Sequence, residues 1–177
     1  TGTQNLSGSN TYSGTTTIDG GTLRVGAGST AGSLGSGSVT NNGNLSFNRS
    51  NAMTVSNAIS GTGNVQQVGG GVTTLSGTNS YSGSTNITAG GLVLTSGGNA
   101  DSVVNVSTGA SLNITTADAS IKSLAGSGNV NVSGKTLTLA NANDTFSGVI
   151  SGTGNLSLTT GTQNLSGSNT YSGTTTI

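Results

Sequence analysis

The chain has 177 residues and takes 113 of them from four types (32 Gly, 31 Thr, 29 Ser and 21 Asn), with no His, Cys, Pro or Trp. Its eight charged residues, Arg24, Arg49, Lys122, Lys135, Asp19, Asp101, Asp118 and Asp144, cancel to a net charge of zero. This composition excludes disulfides and Cys/His metal sites and offers no basic footprint for nucleic acid. With Leu92-Val93-Leu94 as its longest run of large apolar residues, nothing reads as a bilayer span, direct membrane insertion or a signal peptide.

In chain order, the phrase Leu-Ser-Gly-x-Asn-x-Tyr-Ser-Gly stands first at 6–14, followed by a break at Gly20-Gly21. Thr22-Leu23-Arg24-Val25 then alternates polar and apolar residues, the period of a strand with one buried face. The phrase Gly-Thr-Gly-Asn ends at Val65, three glycines interrupt at 69–71, and the first phrase returns at 75–83. Gly90-Gly91 and Gly97-Gly98 are read as further breaks, because Gly tolerates the positive φ of tight corners. Ser111-Leu112-Asn113-Ile114 and Asn129-Val130-Asn131-Val132 alternate again, the second entered through Gly-Ser-Gly-Asn. A weaker copy of the first phrase runs over 139–148 with Phe146 in the aromatic place, Gly-Thr-Gly-Asn leads to Leu156, and the full phrase closes at 165–173. Helix has no support: Glu is absent, Lys is scarce, and no apolar stripe follows a helical spacing.

Leu, Ile, Val and Phe total 36 residues, near the level at which chains stay disordered, yet the high net charge and Pro of disordered chains are missing. Alternation decides for an all-β fold. Residues 1–18 recur letter for letter at 160–177, so the single segment 1–177 is expected to be one 159-residue unit, 1–159, plus the start of an identical one. The aromatics Tyr12, Tyr81 and Phe146 are spaced 69 and 65 apart, close to three times 22 or 23, and the last two Gly-x-Gly-Asn phrases 26 apart. These spacings predict a parallel β-helix of about 20–26 residues per coil and about eight coils, a rod about 40 Å long. Tyr12, Tyr81, Phe146 and Tyr171, and the Gly-following Asn44, Asn64, Asn129 and Asn155, are the candidate stacked ladders that supplement a thin apolar core.

Without His, Cys or Glu, acid–base chemistry would fall to Asp, Lys and Tyr. Asp118 and Asp144 each lie eleven positions before the Asn of a Gly-x-Gly-Asn phrase, which places them one above the other on neighbouring coils as a carboxylate pair for glycoside chemistry or Ca²⁺. Nothing beside them would bind a sugar, so the chain is expected to be neither an enzyme nor a cofactor protein. Thr15/Thr17, Thr136/Thr138 and Thr174/Thr176 have the spacing of an ice-binding face but do not recur in every coil, and exposed strands favour Thr in any case. The tyrosines could stack on sugars, although covering a coil corner is their commoner task.

GSVTNNGNLSFNRSNAMTVSNAISGTGNV followed by TLSGTNSYSGSTNITAGGLVL resembles the autotransporter-associated β-strand repeat, also called the passenger-associated transport repeat. A second copy, NDTFSGVISGTGNLSL followed by QNLSGSNTYSGTTTIDGGTLRVG, reads across from residue 177 to residue 1, and 97–116 fits the pattern least. The resemblance implies a right-handed parallel β-helix outside a Gram-negative cell, attached to the outer membrane or secreted. It also implies a stalk or fibre section associated with adhesion and biofilm. Its expected partners are further identical repeats joined end to end, laterally bundled fibres, and surface glycans or host and abiotic surfaces.

Overall fold

The computed structural model describes residues 2–95 and 97–177, which leaves Ser96 and Thr1, the first residue of the repeated run, outside the described residues. Every strand pair among them is parallel, and no helix occurs. Each coil visits three faces in turn. One face is followed without interruption from Thr3–Leu6 to Asn164–Leu165. The second is the six-stranded sheet from Met53–Val55 to Val149–Ser151. The third begins as Thr16–Ile18, Val39–Asn41 and Ile59–Ser60 and resumes in the first residues of Gly97–Val106 and of Ala119–Gly126, then in Thr136–Leu139, Asn155–Leu158 and Thr175–Thr176. The chain is therefore the predicted β-solenoid, with about 9 turns rather than eight.

The register of the first face gives the coil length directly. Leu6, Val25, Phe47, Gln67, Ile87, Val106, Gly126, Phe146 and Leu165 are successive partners in one column. The step from Val25 to Phe47 is the longest, and the steps from Leu6 to Val25, Ile87 to Val106 and Phe146 to Leu165 are the shortest. Eight such steps separate Leu6 from Leu165, and those two residues are the same letter of the repeated run. The 159-residue unit thus equals a whole number of coils.

The shorter phrases do not. Leu6 lies on the first face, Leu75 on the second beside Val55 and Leu94, and Leu165 on the first again. The interval from Leu6 to Leu75 is therefore three coils plus one face, and that from Asn129 to Asn155 is one coil plus one face. Counting such intervals as whole coils made the expected coil too long and the expected coils too few.

The alternation works as expected: Leu45, Val65, Leu112, Val130 and Leu137 point inward and are wholly buried. Burying each such side chain contributes about 1.5–3 kcal/mol. The outward partners on the first face are polar, for example Asn5, Arg24, Ser46, Gln66, Asn86 and Asn105. Glycine is required at some corners: Gly61 at φ 104° and Gly152 at φ 108° adopt a conformation that side chains with a Cβ avoid. The expected break at Gly97-Gly98 is instead part of the longest strand, Gly97–Val106, whose pairing with Ala119–Gly126 slips between Asn99 and Val103. The chain turns this corner without leaving the ladder, because a slip in register bends a strand as a glycine corner does.

Candidate functional site

The most elaborate polar constellation lies inside the rod. Tyr81 is 1% exposed, and its hydroxyl stands 2.7 Å from Thr85 Oγ1, which is 2.8 Å from Ser102 Oγ. The Ser102 hydroxyl also donates to the Gly83 carbonyl at 2.8 Å. Asn99 donates to the Tyr81 carbonyl at 2.7 Å. Burial pushes the Tyr81 phenol above its ordinary value of 10.0, with the hydrogen bonds from Thr85, Ser102 and Asn99 partly offsetting it. One coil below, Gln67 is 1% exposed and spends its amide on the carbonyls of Gly69 and Gly71, while Thr73 donates to its oxygen at 2.7 Å. Both groups are closed on themselves, with their polar atoms consumed in holding adjacent segments together, and they present nothing to a substrate. Sequence reading missed Gln67, Asn99 and Ser102; the only signal was a polar letter at an inward alternation position.

The Tyr-to-Thr bond is a property of the phrase. Tyr12 and Thr16 approach to 2.8 Å and Tyr171 and Thr175 to 2.6 Å, at the same separation in the chain as Tyr81 and Thr85. In the same three copies Asn10, Asn79 and Asn169 donate to the carbonyls of Gly8, Gly77 and Gly167. Phe146 does not join the tyrosines. It stacks between Gly126 and Leu165, in the place of the phrase's leucine, because Phe146-Ser147-Gly148 aligns with Leu165-Ser166-Gly167. The tyrosines lie on non-adjacent coils and do not touch one another as a ladder.

The four asparagines divide in the same way. Asn44 and Asn64 are direct partners on the first face, and the Asn64 side-chain amide donates a hydrogen bond to Asn44 Oδ1 at 3.3 Å. Asn129 lies on the second face between Ser111 and Val149, and Asn155 on the third beside Thr136. One tetrapeptide, Gly-x-Gly-Asn, therefore builds three different corners. That corrects the carboxylate pair: aligning the tetrapeptides aligned different faces. Asp118 precedes the third-face strand and accepts a hydrogen bond from the Thr136 amide at 2.8 Å. Asp144 precedes Thr145–Phe146 on the first face, where its carbonyl receives Asn164 and Gln163. The two carboxylates are not neighbours, and no group of three or more metal-binding side chains occurs among the described residues.

On the surface, a groove of about 320 Å³ runs beside Arg49, Met53 and Asn57. Arg49 is already bound to Asn51 Oδ1 at 3.0 Å and the Gly32 carbonyl at 2.9 Å, and Asn57 to the carbonyls of Gly35 and Gly37. By contrast, the outward amides of Gln66, Asn86 and Asn105 stand one above another on successive coils and form no side-chain hydrogen bond among the described residues.

A family model described as the passenger-associated-transport-repeat matches residues 1–25, 65–94 and 149–177. No curated protein and no solved structure matches the chain. Each matched segment contains one Leu-Ser-Gly-x-Asn-x-Tyr-Ser-Gly phrase with its Tyr-to-Thr and Asn-to-Gly bonds.

Proposed function

We propose that this chain, which carries the passenger-associated transport repeat, is a structural section of an exported passenger: a stiff stalk or fibre segment on a bacterial cell surface. The observation that carries this reading is the unbroken parallel column from Leu6 to Leu165. A rod in which every coil templates the next transmits length without needing a binding pocket, and its stability grows by nearest-neighbour addition. Adhesion, biofilm or filament roles follow from placing a tip or a surface at a distance from the membrane. The reading has no catalytic step, and the separation of Asp118 from Asp144 removes the one carboxylate pair that suggested one.

The test is a length measurement. With a folded reporter fused beyond the segment on an outer-membrane anchor, inserting a second copy of residues 19–177 adds eight coils. It should raise the reporter by about 38 Å at roughly 4.8 Å per coil. A reporter whose height does not change would sink the stalk reading.

A second reading, an adhesin face for glycans or other surfaces, is favoured by the row of unpartnered amides Gln66, Asn86 and Asn105. Amides at strand spacing can exchange hydrogen bonds with sugar hydroxyls or with a neighbouring rod, and a net charge of zero leaves little repulsion between rods. Specific glycan capture by the purified chain, lost in Asn86→Ala, would move the assignment from stalk to adhesin.

A further inference from the structure

The six-stranded second face has an edge inside the rod. It begins at Met53–Val55, and the coil before it, over residues 26–38, puts no strand alongside. That coil follows its other neighbour instead. The Ser33 and Ser36 amides donate to the Gly8 and Tyr12 carbonyls, and at Gly35 a Cβ would run into Tyr12. The Ser50 amide donates to the Ser29 carbonyl at 3.0 Å, and the Ala58 carbonyl accepts from Val39 at 2.8 Å. Between these two points no backbone hydrogen bond joins the coils. Side chains reach across: Arg49 Nη1 to the Gly32 carbonyl, and Asn57 Nδ2 to those of Gly35 and Gly37.

The ladder shows which groups face the gap. In parallel pairing, alternate residues of a strand bond to opposite neighbours. The Val55 carbonyl accepts from Ser76, so Met53 and Val55 serve the following coil, where they pair with Thr73 and Leu75. Ala52, Thr54 and Ser56 therefore turn their amides toward residues 26–38. All three residues are exposed, and these amides have no partner among the described residues. Such an edge is ordinarily guarded by Pro, a charge or a covering segment. Residues 52–56 contain neither Pro nor a charge, and the groove of about 320 Å³ runs beside them. The side chains of that groove are engaged; its backbone is not.

We propose that this groove is a peptide-docking site: an extended segment of another protein adds to Met53–Val55 as one further parallel strand, where residues 26–38 form none. Main-chain hydrogen bonds to Ala52, Thr54 and Ser56 supply the affinity. The three amides span about 13 Å at roughly 3.3 Å per residue, the length of a five-residue strand. The lining sets the side chains of the segment. Leu34, 8% exposed, already fills the core on this side, so residues facing inward are small: Gly, Ala or Ser. Arg49 stands where the added strand starts. It has no carboxylate partner, and its Nη2 makes no hydrogen bond among the described residues. A complementary segment therefore carries Asp or Glu at its N-terminal end.

The test screens the whole chain against a library of acetylated, amidated octapeptides. The selected peptides should carry an acidic residue near the N-terminus, followed by small residues at alternate positions. Hydrogen exchange followed by NMR should show the Ala52, Thr54 and Ser56 amides exchanging fast in the free chain and protected with peptide bound. Thr54→Pro removes the central donor. That amide takes no part in the pairing with Val72–Leu75, and Pro is tolerated on edge strands. The variant should keep the circular dichroism of the wild type and bind the selected peptides more than about ten-fold more weakly. Should it fail to fold, the exchange measurement on the wild type decides alone. Arg49→Gln, which retains a donor for the Gly32 carbonyl, should weaken acidic peptides about two- to five-fold and leave their Asn and Gln counterparts unchanged. An empty screen, binding that survives Thr54→Pro, selection indifferent to acidic residues, or slow exchange of the three amides in the free chain each overturns the proposal. Protection that rises with the concentration of the chain alone also overturns it, in favour of a second copy as the occupant. The stalk reading stands under every one of these outcomes, since it rests on the column from Leu6 to Leu165.

Discussion

The phrases at 6–16 and 75–85 share their fixed letters, their Asn-to-Gly bond and their Tyr-to-Thr bond, yet Tyr81 is 1% exposed and Tyr12 is 38% exposed. Local sequence determines the hydrogen bonds in both; burial comes from what is stacked against them. Tyr81 is closed in by Asn99 and Ser102 from the next coil. Around Tyr12 the neighbouring coil is the irregular one: it has no strand on the second face, and its step from Val25 to Phe47 is the longest in the column. A solenoid phrase is therefore a joint whose strength depends on its neighbours, and identical joints differ in stability along one rod.

That comparison breaks most sharply under truncation. Tyr81→Ala deletes a wholly buried aromatic ring and leaves a cavity, at an expected cost of about 3–5 kcal/mol. Tyr12→Ala removes a ring already partly in water, for about 1 kcal/mol. Paired thermal melts of the two variants check this. Equal shifts would mean that the phrase, not its neighbours, determines the energy.

A finer cut separates ring from hydroxyl. Tyr81→Phe keeps the ring and leaves the Thr85 hydroxyl, itself bonded to Ser102, with one partner fewer, an expected loss of about 1–3 kcal/mol. It also removes a pH dependence. The Tyr81 phenol is raised by burial, so the folded state holds its proton at pH values where the unfolded phenol, near 10, has lost it. This group's contribution is complete below about pH 10 and declines as pH rises above it. Urea melts of the wild type should therefore weaken above that pH, and Tyr81→Phe should show a shallower decline. An identical slope in both would assign the effect to another group.

Much of the fold was legible in the letters. Leu23, Leu112 and Val130 were placed inward by alternation alone, and Gly21 and Gly90 mark corners at φ 74° and 61°. Parallel stacking followed from the repeats. What the letters did not carry was which face a corner leads to. Gly126-Ser127-Gly128-Asn129 and Gly152-Thr153-Gly154-Asn155 are nearly the same word, yet the first opens the second face and the second opens the third. A corner is a local backbone event and has no memory of how far round the coil it occurs; only the strand lengths between corners fix that. The same ambiguity put Phe146 with the tyrosines, although register places it with the leucines. Gln67 and Ser102 were unreadable for another reason. A polar letter at an inward position counts against burial until its partners, backbone carbonyls and Thr hydroxyls, are seen.

The smallest expected effect tests the corrected placement of the acidic residues. Asp118 accepts one bond, from the Thr136 amide, at an exposed site, and the Asp144 side chain has no partner among the described residues. Asn retains a side-chain oxygen that can accept the same bond, so Asp118→Asn should move stability by less than about 0.5 kcal/mol. Asp144→Asn should do no more. If the two carboxylates instead shared a site, each single substitution would relieve their mutual repulsion and raise stability, and the double variant would gain less than the sum. Additive, near-zero shifts in a double-mutant cycle agree with carboxylates on different faces of the coil; coupling above about 0.5 kcal/mol would restore the pair.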